Sequence, residues 1–427
     1  MTRDEHEPRM GKREFIVLIS MLMALTALAI DMMLPAFGEM RSTFGLEADS
    51  SAVAPVITVF LIGFGAGQLL WGPLSDALGR KRILWIGLAI YSLGAVAAAF
   101  APSLGVLLLL RLVGGMGAAA VRVFTQGAIR DRYRGDQMAK VLSYIMAVFL
   151  LVPMVAPSLG TAVLAVGDWR WVFAFFLIAA AVAAIWSTRL PETLPKERRI
   201  ALDVSRLAAA TKVVVTSRFA MGLTIAQMAV FGFFASYLAS TELILADVFG
   251  LGAWFPIVFG GASLMLGAAM LFNPRLIDRF GLRRMVRYAL TGYLATSLSF
   301  AAIAIASGGR PPFWLYLVGI LPILVAHSFV MPNLNSAAMM PMGRVAGTAS
   351  AIIGSIAVLG GASIGALIDA AYDGSVTPFA LAGVVLCVVA FLFYRWSDAT
   401  WEQSADRELL PVDEQAQAAA APPIEVA

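Results

Sequence analysis

Leu74-Ser75-Asp76-Ala77-Leu78-Gly79-Arg80-Lys81-Arg82 is the stretch on which the fold turns. It follows an apolar run at residues 51–73, with Gly72 and Pro73 immediately ahead of it. A second nonapeptide, Leu276-Ile277-Asp278-Arg279-Phe280-Gly281-Leu282-Arg283-Arg284, registers with the first at an offset of 202 residues. It too follows an apolar run, at 250–275. Each copy sits after the second such run of its half of the chain. A duplicated half is the mark of a transporter, because two similar bundles can rock about a central site.

Composition agrees with a chain built almost wholly inside a bilayer. Of the 427 residues, 60% are hydrophobic and 14% charged, and the mean hydropathy is +0.84. A soluble chain carries about a quarter charged residues. Twelve apolar windows are found, near 14–37, 51–73, 83–101, 105–127, 139–163, 169–189, 219–240, 250–275, 285–307, 313–334, 346–370 and 376–396. Each approaches the ~20 residues that a membrane helix needs. Continuous runs of this length predict helices rather than a β-barrel. The first window is too long for a signal-peptide core and lacks a small-residue cleavage site, so it is expected to remain as a span.

The predicted fold class is therefore an all-α polytopic membrane protein with twelve transmembrane helices in two six-helix bundles. Residues 1–188 would form the N-terminal bundle, 189–218 a cytoplasmic connector, 219–397 the C-terminal bundle and 398–427 a disordered cytoplasmic tail. Within the connector, Leu202 to Val215 has the pattern of an amphipathic helix.

Lys and Arg set the orientation. With the N-terminus inside, only Arg41, Arg170 and Arg310 fall in outer loops or outer span edges. Arg111 and Arg122 lie within span 4, and the remaining 26 of 31 Lys and Arg fall on the cytoplasmic side. That bias predicts both termini in the cytoplasm.

Several function classes are excluded or disfavoured. Cys387 is the sole cysteine, so no intramolecular disulfide can form. His6 and His327 are the only histidines, too few for a histidine-rich metal site. Gly11-Lys12-Arg13 lacks the flanking residues of a phosphate-binding loop, which argues against ATP as energy source. No clustered nucleophile suggests an enzyme, and no cofactor is expected.

Gly72-Pro-Leu-Ser-Asp76-Ala-Leu-Gly79-Arg80-Lys81-Arg82 resembles the loop signature of the major facilitator superfamily, G-x-L-x-D-x-x-G-R-K/R. The resemblance covers nearly the whole chain apart from the tail. Arg111-Leu-Val-Gly114-Gly115-Met-Gly117-Ala-Ala119 resembles the span 4 motif of proton-coupled members, with Gly114 in place of Gln. Pro153-Met-Val-Ala-Pro157-Ser-Leu-Gly160 is similar to the span 5 antiporter motif, with Ala156 and Thr161 in place of glycines. Ile30-Asp31-Met-Met-Leu34-Pro35 is similar to the D-x-x-L-P of drug-efflux members. Arg130-Asp131 and the stretch from Met331-Pro332-Asn333 to Ala346-Gly347-Thr348-Ala349-Ser350 resemble the Bcr/CflA drug:proton antiporter branch. That branch implies proton-driven export of drugs or other small amphipathic molecules across the bacterial inner membrane, a determinant of antibiotic resistance. A narrower exporter of a sugar, amino-acid derivative or siderophore on the same fold is the alternative.

The residues then divide by role. Asp31 is the acid expected well inside an apolar span. A carboxyl group withdrawn from water holds its proton more readily, and an intramembrane acid is costly unless used. It is the expected proton carrier, the other reading being a helix-end cap near the outer surface. Arg111 lies at similar depth and is expected to approach Asp31 and tune it, or to form a structural pair with it. Gly72, Asp76, Gly79, Arg80, Asp131 and Asp278 are expected to form a conformational latch, with Asp76 paired to a cation or to a helix N-terminus. Arg122 falls on the helix face of Arg111, eleven residues on. It either lines a substrate cavity or snorkels to the cytoplasmic interface. Gln126, Gln227 and Asn333 are candidate cavity residues, though Gln227 and Asn333 could instead satisfy neighbouring helices. His327 is expected to make an interhelical hydrogen bond, and Glu242 to be an outer-loop acid. Gly63-x-x-x-Gly67 and Gly361-x-x-x-Gly365 are expected to pack helices. The expected partners are a small-molecule substrate, protons and the lipid bilayer, with no nucleic acid, and the chain is expected to act as a monomer.

Overall fold

Twelve helical segments are long and apolar enough to cross a membrane, and they fall on the twelve predicted windows. The structure is a computed structural model, and it describes residues 10–133, 135–199 and 202–402. Its helices are α1 (Lys12–Asp31), α2 (Phe37–Thr43), α3 (Pro55–Leu78), α4 (Arg80–Ala99), α5 (Leu104–Arg132), α6 (Gly135–Leu164) and α7 (Arg170–Ser187). They continue with α8 (Val204–Thr216), α9 (Arg218–Asp247), α10 (Phe255–Phe280), α11 (Leu282–Ala306), α12 (Phe313–Met339), α13 (Ala346–Ala370) and α14 (Thr377–Asp398). The described residues contain no β-strand.

Helices α1 and α2 form one span, Lys12–Thr43, joined through a 3-10 turn at Leu34–Ala36. Pro35 has no N–H to donate, so the α-helical ladder breaks here while the chain continues outward. Asp31 is the last residue of α1 and stands at that break. Span 1 and span 7 both run past the predicted limits, to Thr43 and Asp247. Their outer turns are too polar for a hydropathy window to include.

In the first half, α5 packs against α3 and α4, α4 against α7, and α1 against α6. In the second, α9 packs against α13, α14 and α12, while α11 packs against α12 and α14. The halves meet chiefly where α3 lies on α13 and α6 on α10. The α3–α5 crossing is close because Gly63 faces the Leu112 backbone and Gly115 faces the Phe60 carbonyl. Trp71 adds an indole N–H donated to the Met116 carbonyl at 2.8 Å. Gly361 and Gly365 likewise sit against the α9 backbone near Gly232 and Ser236. Small residues at such crossings let dispersion contacts accumulate where lipid offers no hydrophobic drive.

The repeat is visible in the backbone. Gly79 separates α3 from α4 with φ 98° and ψ 150°, and Gly281 separates α10 from α11 with φ 77° and ψ 152°. Both lie where an L side chain is strained. The connector holds the expected amphipathic helix as α8, lying on α13 and α9.

The boundary of the tail needs correction. Asp398 ends α14, and Trp401 is buried with its ring 5.3 Å from that of Phe219. Arg283 pairs with Asp398 at 2.8 Å and with Glu402 at 3.0 Å. An indole that can cover α9 and two acids beside Arg283 order residues 398–402. The rest of the expected tail, 403–427, lies outside the described residues.

Candidate functional site

Asp31 is buried, with 4% of its surface exposed. It forms no ion pair or hydrogen bond among the described residues, and Tyr237 of α9 is its electrostatic neighbour. Twelve residues of span 1 lie beyond it, about 18 Å at helical rise. It is thus a helix-end residue, as one sequence reading had it, with the span continuing past it to Thr43. A carboxyl group at a break in a discontinuous helix, facing the other half, occupies the kind of place transporters use for coupling ions.

Arg111 does not pair with Asp31. Its Nη2 donates to the Ala29 carbonyl at 2.8 Å and its Nε to the Val56 carbonyl at 3.1 Å. Its guanidinium lies 4.2 Å from the Phe60 ring centroid. The approach expected from similar depth is made to the backbone of α1, two residues before Asp31. The helix break explains the preference: the Met33 N–H, which an α-helix would direct to the Ala29 carbonyl, turns to the Ile30 carbonyl at 3.3 Å, and a guanidinium satisfies Ala29 in its place. Arg111 therefore braces α1, α3 and α5 beneath Asp31 instead of neutralising it.

Arg122 lies ten residues from the inner end of α5, about 15 Å. It is half-buried, and its guanidinium has no hydrogen bond or ion pair among the described residues. Gln126 and Arg130 follow on the same face and are exposed. They line a cleft with Gln68, Gly72 and Asp76 of α3 and with Gly347 and Thr348 of α13.

The nonapeptide forms a tight electrostatic network. Arg80 pairs with Asp76 at 2.7 Å and with Asp131 at 3.1 Å, and its Nη1 donates to Ser75 Oγ at 3.0 Å. Gly127 makes this possible, since a Cβ there would meet the Arg80 side chain at 2.8 Å. Glu192 accepts from the Arg80 and Lys81 backbone N–H groups, at 3.0 and 3.2 Å. Lys81 Nζ donates to the Leu190 carbonyl at 2.5 Å. The loop is thereby tied to the start of the connector, a partner that the sequence reading missed. Of its two expected partners Asp76 takes the cation, Arg80, and it lines one cleft with Gly347 and Thr348 of the first turn of α13.

The second copy differs. Leu282 stands where Arg80 stands in the first, and Asp278 has no ion pair among the described residues. The turn geometry is duplicated, but the ion pair expected to make Asp278 a latch is absent there.

Other expectations also change. Asn333 is 1% exposed, and its amide exchanges hydrogen bonds with Asn273 at 2.9 and 3.1 Å. It joins α10 to α12, as the helix-satisfying alternative expected, and is buried away from open space. Gln227 is 2% exposed with Nε2 unpartnered among the described residues, so it does not line open space. His327 stacks on Phe234, with centroids 4.4 Å apart, instead of bonding across helices, and its Nδ1 is unpartnered among the described residues.

Two buried acids were missed. Glu242 is not in a loop but inside α9, where it meets Arg41 of α2 at 2.7 Å through a two-pronged contact. Arg41 also donates from Nε to the Ser50 carbonyl at 3.0 Å. The pair is buried and ties the outer ends of the two halves together. Asp369 of α13 accepts from Ser236 and Ser240 of α9 at 2.5 and 2.6 Å. Neither was legible, because both sit at span ends where polar residues are ordinary.

The matched model of known families is that of the Major Facilitator Superfamily, over residues 19–366. Among relatives, a bicyclomycin resistance protein homolog of Haemophilus influenzae is 29% identical over 388 residues, covering 89% of this chain and 95% of its own. A chloramphenicol resistance protein of Pseudomonas aeruginosa is 31% identical over 370 residues, covering 82% of each chain. Multidrug resistance protein D of Escherichia coli is 25% identical over 377 residues, covering 84% of this chain and 90% of its own. The solved D-xylose-proton symporter superposes with a TM-score of 0.72 at 15% identity, over 90% of this chain and 98% of that one. The relatives are of the Bcr/CflA type, and the fold is a transporter's, not an enzyme's. With the duplicated loop, the broken first span and the two bundles in place, the chain belongs to the Major Facilitator Superfamily.

Proposed function

We propose that the protein is a proton-coupled exporter of drugs or other small amphipathic molecules, working by alternating access across the bacterial cytoplasmic membrane. Asp31 is the observation that carries this reading: a buried acid without a counter-ion among the described residues, at a helix break, beside the other bundle. A proton and a substrate compete there in turn. Arg111 holds α1 in place beneath it. The Asp76–Arg80–Asp131 network holds the cytoplasmic side, and opening that side separates Asp76 from the first turn of α13. Both termini face the cytoplasm, in keeping with the Lys and Arg bias, and one chain suffices for the cycle.

The test is proton release from purified, weakly buffered protein on adding lipophilic cations, phenicols or acidic metabolites. Wild type is expected to release protons with at least one class, and folded Asp31→Asn with none. Undiminished release from Asp31→Asn would remove the role. The narrower-exporter reading is favoured at one point, by Arg122, and a panel that finds a single compound class would support it.

A further inference from the structure

We propose that Arg122 is the binding group for an anionic substituent of the substrate, so that the preferred cargo is an amphipathic organic acid with one carboxylate. The inference rests on the exporter reading above and names its substrate class.

The argument begins with what Arg122 lacks. A guanidinium within a membrane bundle costs several kcal/mol unless an acid or carbonyls compensate it. Arg111, three turns away on the same helix face, shows the structural solution, two carbonyls and an aromatic ring. Arg122 has none of these among the described residues. Arg130, two turns further down the same face, is itself a cation, and no ion pair joins Asp31 to Arg122 among the described residues. The Arg122 side chain is half-buried, with neither an acid nor a carbonyl closing over the guanidinium among the described residues. The unpaired group stands one turn above Gln126, which lines the cleft between α3 and α13.

The chemistry of that group selects the ligand. Guanidinium presents parallel N–H donors matched to the two oxygens of a carboxylate. Gln126, one turn below, offers a neutral amide on the same face, and Arg130 and Gln68 continue the polar track to the cytoplasmic cleft. An anion entering from the cytoplasm thus meets Arg130 before Arg122, with Asp31 beyond. A carboxylate beside Arg122 needs no proton of its own, which leaves Asp31 free to carry the exchanged one. Export of an anion against entry of one proton moves two charges in the same sense. Export of a neutral molecule moves one, and export of a monovalent cation moves none.

The test uses one aromatic scaffold bearing a carboxylate, a carboxamide or a trimethylammonium group. Binding to detergent-purified wild type, Arg122→Gln and Arg122→Lys is measured calorimetrically. Proteoliposome export is then followed at a fixed pH gradient with and without an imposed potential. Wild type is expected to bind the carboxylate at least tenfold more tightly than the carboxamide. Arg122→Gln should erase that preference while leaving carboxamide binding unchanged, and Arg122→Lys should restore part of it. An imposed potential should speed carboxylate export more than carboxamide export. Equal binding of carboxylate and carboxamide by wild type would overturn the proposal. So would an equal loss of both in Arg122→Gln, which reports a structural role. Proton-driven export of the carboxamide or ammonium compound alone would sink the anion site and leave the exporter reading standing. Arg122-dependent carboxylate transport indifferent to the pH gradient would do the reverse.

Discussion

Replacing Glu242 by Gln should shift the transporter toward opening on its outer side. The substitution keeps shape and removes one charge. With the outer side closed, Arg41 then stays buried at 4% exposure without its counter-ion. Breaking a buried pair in this way costs about 3–5 kcal/mol. Arg41 keeps its bond to the Ser50 carbonyl, so the lower end applies. Opening the outer side returns the guanidinium to water and relieves the cost. A shift of about 5.5 kcal/mol carries a two-state equilibrium from 1:99 to 99:1. On that scale ~3 kcal/mol raises an outward-open state from roughly 1% to more than half of the molecules. Spin labels on cysteines at Ala48 and Ala253, exposed in the outer loops of the two halves, would report the change as a longer distance. The background is favourable, because Cys387 is the only cysteine and is buried. Arg41→Gln in the same chain should return the distances toward wild type, since no charge is then stranded. An unchanged distance distribution in folded Glu242→Gln would refute the reasoning.

Two further outcomes concern stability. Gly115→Ala drives a methyl group into the Phe60 carbonyl at the α3–α5 crossing. It should cost at least ~1–3 kcal/mol as overpacking, seen as a lower thermal midpoint; an unchanged midpoint would mean the crossing is loose. Arg80→Gln strands Asp131, which is 9% exposed, and should destabilise by about 3 kcal/mol. Asp76→Asn removes a carboxylate that is 37% exposed and should cost under ~1 kcal/mol. Thermal unfolding that ranks these two the other way round would contradict the network described.

Hydropathy alone located twelve spans, because backbone polar groups in lipid must be satisfied within each helix and long apolar runs have no other use. The nonapeptide at 74–82 fixed the repeat and the fold family, since glycine at 79 and 281 is demanded by local backbone geometry. Asp31 was legible for the same local reason, as an acid in an apolar run. What a side chain touches was not. Arg111 and Arg122 read alike in sequence, three turns apart on one face, yet the first is held by the Ala29 and Val56 carbonyls and the second by none among the described residues. Asn333 reads equally as a cavity group or as a link to a neighbouring helix, and only the fold shows the link, to Asn273 sixty residues away in sequence. Asp278 read as a duplicate of Asp76, although the cation four residues on is present in only one half. Arg41 and Glu242 were assigned to loops because hydropathy windows stop at polar turns, whereas helices stop where hydrogen bonding and packing end. The sequence by itself determined the elements, their number and the duplicated turn, all set by short-range chemistry. Tertiary structure alone decided which charges are paired and which are left open for a ligand, because those pairings join residues up to 201 positions apart.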